Sequence, residues 1–141
     1  LHALAEIYFE QGKYSKARPL YERAQIMCEK IWQADHPDIA QNLNSLAELY
    51  YAQHKYSKAE MYCERALAIR EKTLETDHPD LAQSLSTLAN IYQAQGKDVK
   101  AASLYLRALG IFEHTLGLDH PSVLKVVESY SVLLHKEDRE S

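Results

Sequence analysis

A chain of 141 residues with 46% hydrophobic and 26% charged side chains has the composition of an ordinary folded domain, not of a disordered or fibrous segment. Its formal charge is −4, with 16 Lys and Arg scattered among 20 Asp and Glu. That balance argues against a nucleic-acid or anionic-membrane partner, since both recruit a basic face.

No apolar run approaches the roughly 18 residues of a membrane helix. Two cysteines, Cys28 and Cys63, are too few for a disulfide framework, so a reducing, cytoplasmic compartment is expected. The chain opens on Leu1, already inside a repeat, so a piece of a longer protein is expected.

Taken in order, the elements repeat. Leu1, Leu4, Ala5 and Tyr8 recur at helical steps, followed by a break at Gln11-Gly12-Lys13 and a second helical run through Ala17, Tyr21 and Ala24. The pattern returns 42 residues on as Leu43, Leu46, Ala47, Tyr50, the break Gln53-His54-Lys55, then Ala59, Cys63 and Ala66. It returns again as Leu85, Leu88, Ala89, Tyr92, the break Gln95-Gly96-Lys97, then Ala101, Tyr105 and Ala108. A partial fourth copy holds Val127, Tyr130, Ser131 and Leu134. A fixed period of this length is the signature of stacked repeats.

Between copies stand Asp35-His36-Pro37-Asp38, Asp77-His78-Pro79-Asp80 and Asp119-His120-Pro121-Ser122. Either Asp35 or His36 should cap the following helix, with Pro37 in its first turn and Asp38 at the positive end of the helix dipole. The glycines of the breaks supply the left-handed residue that ends a helix at little cost. His54 tolerates that conformation less well, so strain or a different closure is expected there.

Each pair exposes an apolar stripe that only the next pair can cover, which is why at least three repeats are needed. The small residues Ala5, Ala47 and Ala89 let the helices approach. A large side chain at Ala47 should overpack that contact.

Other chemistry fails on geometry. His36, His78 and His120 sit one per repeat, about 8–10 Å apart in a helix stack, whereas zinc ligands lie about 2 Å from the ion. Cys28 and Cys63 read as core thiols. Arg23, Arg65 and Arg107 beside Glu22 and Glu64 read as a solvated outer face. Gly numbers four, and there is no phosphate loop or nucleophile elbow, so neither an enzyme nor a cofactor is expected.

Leu43-x2-Leu46-Ala47-x2-Tyr50, then Ala59-x3-Cys63, Ala66 and Pro79 resemble the tetratricopeptide repeat, with Leu for its Trp, Ala for its Gly, and the Pro displaced by the longer period. Together with Ala66 to Leu74 and the Asp77-His78-Pro79-Asp80 turn, that period resembles the 42-residue repeats of kinesin light chain. The resemblance implies an all-α fold, a right-handed superhelical solenoid of antiparallel helix pairs. It divides the chain into repeats over 1–36, 37–78 and 79–120 and a capping helix over 121–136, with the charged tail from His135 fraying into solvent.

The implied function is protein–protein interaction, a protein or peptide segment lying in the concave groove lined by the first helix of each pair. Groove positions implied by the resemblance are His2, Glu6 and Phe9; Gln41, Asn44, Ser45, Glu48 and Tyr51; Gln83, Ser86, Thr87, Asn90 and Gln93; and Lys125. Amide and hydroxyl side chains there suit the unpaired N–H and C=O groups of an extended ligand, and Phe9 and Tyr51 offer flat apolar contact.

The chaperone-type carboxylate clamp is largely missing, since the matching places hold His2, Glu6, Asn44, Ser86 and Lys125. Glu6 and Glu48 favour a neutral or mildly basic peptide over an acidic one. On this reading Asn44→Ala with Asn90→Ala weakens partner capture and leaves the melting point unchanged. The alternative is a regulatory or self-assembling array, with homo-association through the exposed terminal repeats.

Overall fold

The computed structural model describes residues 2–31, 36–75, 78–115 and 121–140. These form α1 (His2–Glu10), α2 (Tyr14–Ile31), α3 (Pro37–Ala52), α4 (Tyr56–Thr73), α5 (Pro79–Ala94), α6 (Asp98–Thr115) and α7 (Pro121–Glu140), with no strand among the described residues. Two compact units divide the chain, Leu1–Thr73 and Leu74–Ser141. In the first, α1 packs on α2, α2 on α3 and α3 on α4; in the second, α5 packs on α6 and α6 on α7.

The turn residues explain the helix ends. Gly12 and Gly96 take φ of +75° and +79°, and His54 takes +62° in the same place. His54 does not close its turn differently. Lys13 N–H donates to the Tyr8 carbonyl, Lys55 to Tyr50 and Lys97 to Tyr92, each at 2.8 Å. The non-glycine residue therefore carries its strain within an unchanged turn. Its ring is held against Tyr56, with Nδ1 at 2.8 Å from the hydroxyl.

The helix starts are capped by histidine. His36 Nδ1 accepts the Asp38 N–H at 3.1 Å and His78 Nδ1 accepts the Asp80 N–H at 3.0 Å, each from an extended backbone just ahead of the proline. This is the role Ser or Asp usually fills, and it needs Nδ1 unprotonated. Asp35 and His120 lie outside the described residues.

The core of the first unit is a knot of small and branched side chains: Ile39, Ala40 and Leu43 of α3 against Ala66 and Ile69 of α4, with Cys28 and Tyr62 at its margin. Ala5, Ala47 and Ala89 are all fully buried, as close helix approach requires. Tyr50 stacks on Tyr62 at 5.5 Å, and its hydroxyl donates a hydrogen bond to Glu22 at 2.8 Å. A lysine one turn into each second helix lies over the tyrosine of the first: Lys16 on Tyr8, Lys58 on Tyr50 and Lys100 on Tyr92, at 5.4–5.8 Å.

A chain of polar side chains links the helices of the first unit. Asn42 Nδ2 donates to the Tyr21 carbonyl at 3.0 Å and to Gln25 Oε1 at 2.9 Å; Gln25 donates on to Glu29, which Arg65 of α4 also meets at 2.6 Å. In the second unit, the charged tail expected to fray is helical through Glu140, since it holds neither Gly nor Pro to stop α7.

Candidate functional site

Acids on the first helices of the first unit, α1 and α3, act electrostatically on one buried tyrosine. Tyr21 of α2 is buried, and its oxygen meets the Ser45 hydroxyl of α3. Burial and the negative charges of Glu6, Glu48 and Glu10 push its pKa up to about 12. Residues from α1, α2 and α3 thus share an electronegative patch. Asn44 braces it, donating to Glu48 Oε1 at 3.3 Å.

Beside this patch stand two aromatic pairs at equivalent positions. Phe9 tilts against Tyr14 with ring centroids 5.3 Å apart, and Tyr51 tilts against Tyr56 at 5.8 Å. Tyr51 is exposed and Phe9 half-buried, so both rings present a face while their second-helix partners hold them in place. Partial burial also raises the Tyr51 pKa.

Of the fourteen groove positions, Glu6 and Tyr51 are exposed and Phe9 and Glu48 half-buried. Asn44, Ser45 and Thr87 are buried, contrary to the sequence expectation. For α3 the reason is that it packs against helices on two sides, α2 and α4, so more of its circumference is covered than a single apolar stripe indicates. Thr87 turns its hydroxyl back to the Gln83 carbonyl of its own helix at 2.9 Å. Gln41 is bound by Arg70 of α4 at 2.7 Å.

In the second unit, Asn90 and Gln93 both accept from the buried Tyr105 hydroxyl, the latter at 2.9 Å. Gln83 and Ser86 are partly exposed and Lys125 is exposed on α7, while the side chain of His2 lies outside the described residues.

Tyr21 and Tyr105 are the residues that sequence reasoning passed over as simple core. The signal was present: they share a repeat slot in which the middle copy has Cys63, and a buried tyrosine hydroxyl must find a partner on a facing helix. In consequence, Asn90→Ala is expected to lower stability by about 1 kcal/mol, because it removes one acceptor from a buried donor. This replaces the sequence expectation of an unchanged melting point. A denaturant midpoint equal to the parent's would refute it.

Among the described residues, no three His, Cys, Asp or Glu side chains converge as metal ligands, and no helix is long and apolar enough to cross a membrane. Cys28 and Cys63 are free thiols, and burial foremost pushes both upward in pKa, away from reactivity.

Comparison with known proteins bears on this arrangement. A family model for the tetratricopeptide repeat matches residues 1–72 and 38–114. The chain superposes on a putative kinesin light chain from Podosopora anserina, described as nearly identical TPR-like repeats. The TM-score is 0.85 at 30% identity, covering 94% of this chain and 63% of that one. BtubC (BKLC) from P. vanneervenii gives 0.81 at 26% identity, covering 95% and 53%. The first TPR of Spaghetti (RPAP3), solved with an HSP90 peptide, gives 0.61 at 20% identity, covering 92% and 90%, a likeness of fold alone. The chain thus spans less than two thirds of the first two structures. No curated protein matches it. The all-α class of antiparallel helix pairs expected from the sequence is the one observed.

Proposed function

The chain belongs to the tetratricopeptide repeat family, and from that premise we propose that it is a protein-interaction module capturing an extended, neutral to mildly basic peptide on the first-helix face of its first unit. The observation that supports the proposal is that Glu6 and Glu10 of α1 and Glu48 of α3 all act with negative charge on the buried Tyr21, beside the exposed ring of Tyr51. Negative charge from two helices is concentrated there in a partly desolvated setting, where a Lys or Arg of the ligand is drawn in and an acidic ligand is repelled.

Phe9 and Tyr51 flank the patch and supply rigid apolar contact at small entropic cost. Glu48 is oriented by Asn44, so Asn44 acts as a support from behind and not as a ligand contact. No catalytic step is assigned to these groups. The free thiols accord with a reducing cytoplasmic setting, which forms part of the proposal.

A randomised short-peptide library selected on the 141-residue chain tests it. Lys and Arg should be enriched over Asp and Glu among the retained peptides, and the bias should vanish with Glu6→Gln and Glu48→Gln together, a pair that removes charge while keeping shape. Tyr51→Ala should weaken the retained peptides about tenfold. Enrichment of acidic peptides, or a bias indifferent to both glutamates, would sink this reading.

A further inference from the structure

The junction of α2 with α3 differs from the later copies in two buried slots. Asn42 of α3 and Gln25 of α2 are 1% and 7% exposed, and Asn42 Nδ2 donates to Gln25 Oε1 at 2.9 Å. One period on, the same slots hold Ser84 and Leu67; two periods on, they hold Val126 and Leu109. An amide stands in both slots only in the first set.

The senses of the hydrogen bonds around this pair are fixed. The Glu29 carboxyl is held below its ordinary pKa by hydrogen bonds from Gln25 and Arg65, so it is ionised and can only accept. Gln25 therefore turns its NH2 to Glu29, at 2.9 Å, and presents oxygen to α3. The Tyr21 carbonyl also accepts only, so Asn42 turns its NH2 to both at once, reaching the carbonyl at 3.0 Å. Glu29 is pinned in turn by Arg65 of α4 at 2.6 Å. Arg65 recurs as Arg107, and Glu29 as Glu71 and Glu113, so those two residue types do not tell one helix from another. Asn42 and Gln25 do.

Stability does not account for the pair. Replacing both partners of a buried hydrogen bond by apolar groups of similar shape is close to neutral or stabilising. Among the described residues, moreover, Asn42 Oδ1 has no hydrogen-bond partner. What the pair supplies is exclusion. If α6 docked on α3, Leu109 would cover the Asn42 NH2 and strand it. If α2 docked on α7, Val126 would strand the Gln25 oxygen. A stack of near-duplicate helices meets such choices as it folds, within one chain and between two.

We propose that the Asn42–Gln25 pair is an ordering device, selecting α2 as the neighbour of α3 and rejecting other second helices of the same chain or of a second copy. The inference stands apart from the peptide-capturing face, because both amides are buried and Tyr21 enters through its backbone carbonyl alone.

Gln25→Leu with Asn42→Val supplies the test, since it copies the Leu109 and Val126 that the chain already carries in α6 and α7. In urea, each single change should lower the unfolding midpoint by about 1 M, as for one stranded buried amide at an ordinary m-value. The double change should return the midpoint to the parent's value or above it. Refolded by dilution at high protein concentration, the parent should recover its starting size by light scattering. The double variant should add an oligomer with the parent's circular dichroism that persists on further dilution, as exchange of helices between copies produces.

Midpoint losses that simply add in the double variant overturn the proposal, because the two amides would not then act as a pair. A double variant that recovers its midpoint and refolds to the parent's size, or forms no more oligomer than the parent, overturns it too. Nothing would then have been excluded by the amides.

Discussion

Leu43→Ala is expected to lower the stability of the chain by about 3 kcal/mol, whereas Val127→Ala should cost less than about 0.5 kcal/mol, although the two residues occupy the same slot of the repeat. Leu43 is fully buried among Ile39, Ala40, Ala66 and Ile69. Shortening it removes apolar surface from the core and leaves a cavity that rigid neighbouring helices cannot close. Val127 looks into solvent, and its truncation exposes nothing new.

With a total stability on the order of 5–15 kcal/mol for a domain, the first loss is large enough to move the urea midpoint well outside error at constant m-value. Equal losses at the two positions would mean that α7 is covered in solution. A negligible loss at Leu43 would mean that α3 and α4 are not packed as described.

Ala47→Phe should destabilise by about 1–3 kcal/mol through overpacking, and Ser131→Phe by little or nothing. Ala47 is fully buried, and its side of α3 lies close to the facing helix because no larger side chain intervenes. A phenyl ring there must push α3 off its neighbour or adopt a strained rotamer, and either loosens the Ile39–Ala66 cluster as well. Ser131 holds the equivalent slot on the open flank of α7, where a ring has room. Guanidinium unfolding of the two variants side by side checks the contrast, and comparable midpoints would refute it.

Much of this architecture was legible in the residues. The 42-residue period placed the starts of α3, α5 and α7 at Pro37, Pro79 and Pro121, and the Gly12, His54 and Gly96 breaks fell where the backbone turns left-handed. These are local properties: proline, a capping side chain and a left-handed residue act within one turn of chain. The capping atom itself was left open between Asp35 and His36, and only the geometry assigns it to the imidazole Nδ1 of His36.

The site was legible only in part. The resemblance to the repeat family implied Glu6, Phe9, Glu48 and Tyr51 as groove positions, yet it also put Asn44, Ser45 and Thr87 among them, and these are buried. Asn90 and Gln93 read as ligand contacts and serve Tyr105 instead.

The sequence by itself determined the helices, their ends and the repeat, because those depend on interactions between residues a few positions apart. The tertiary structure decided which polar groups stay exposed and which satisfy a neighbour. A hydroxyl removed from water must find its partner across a helix interface, and which amide lies within about 3 Å of it is set by packing between distant segments that no periodicity encodes.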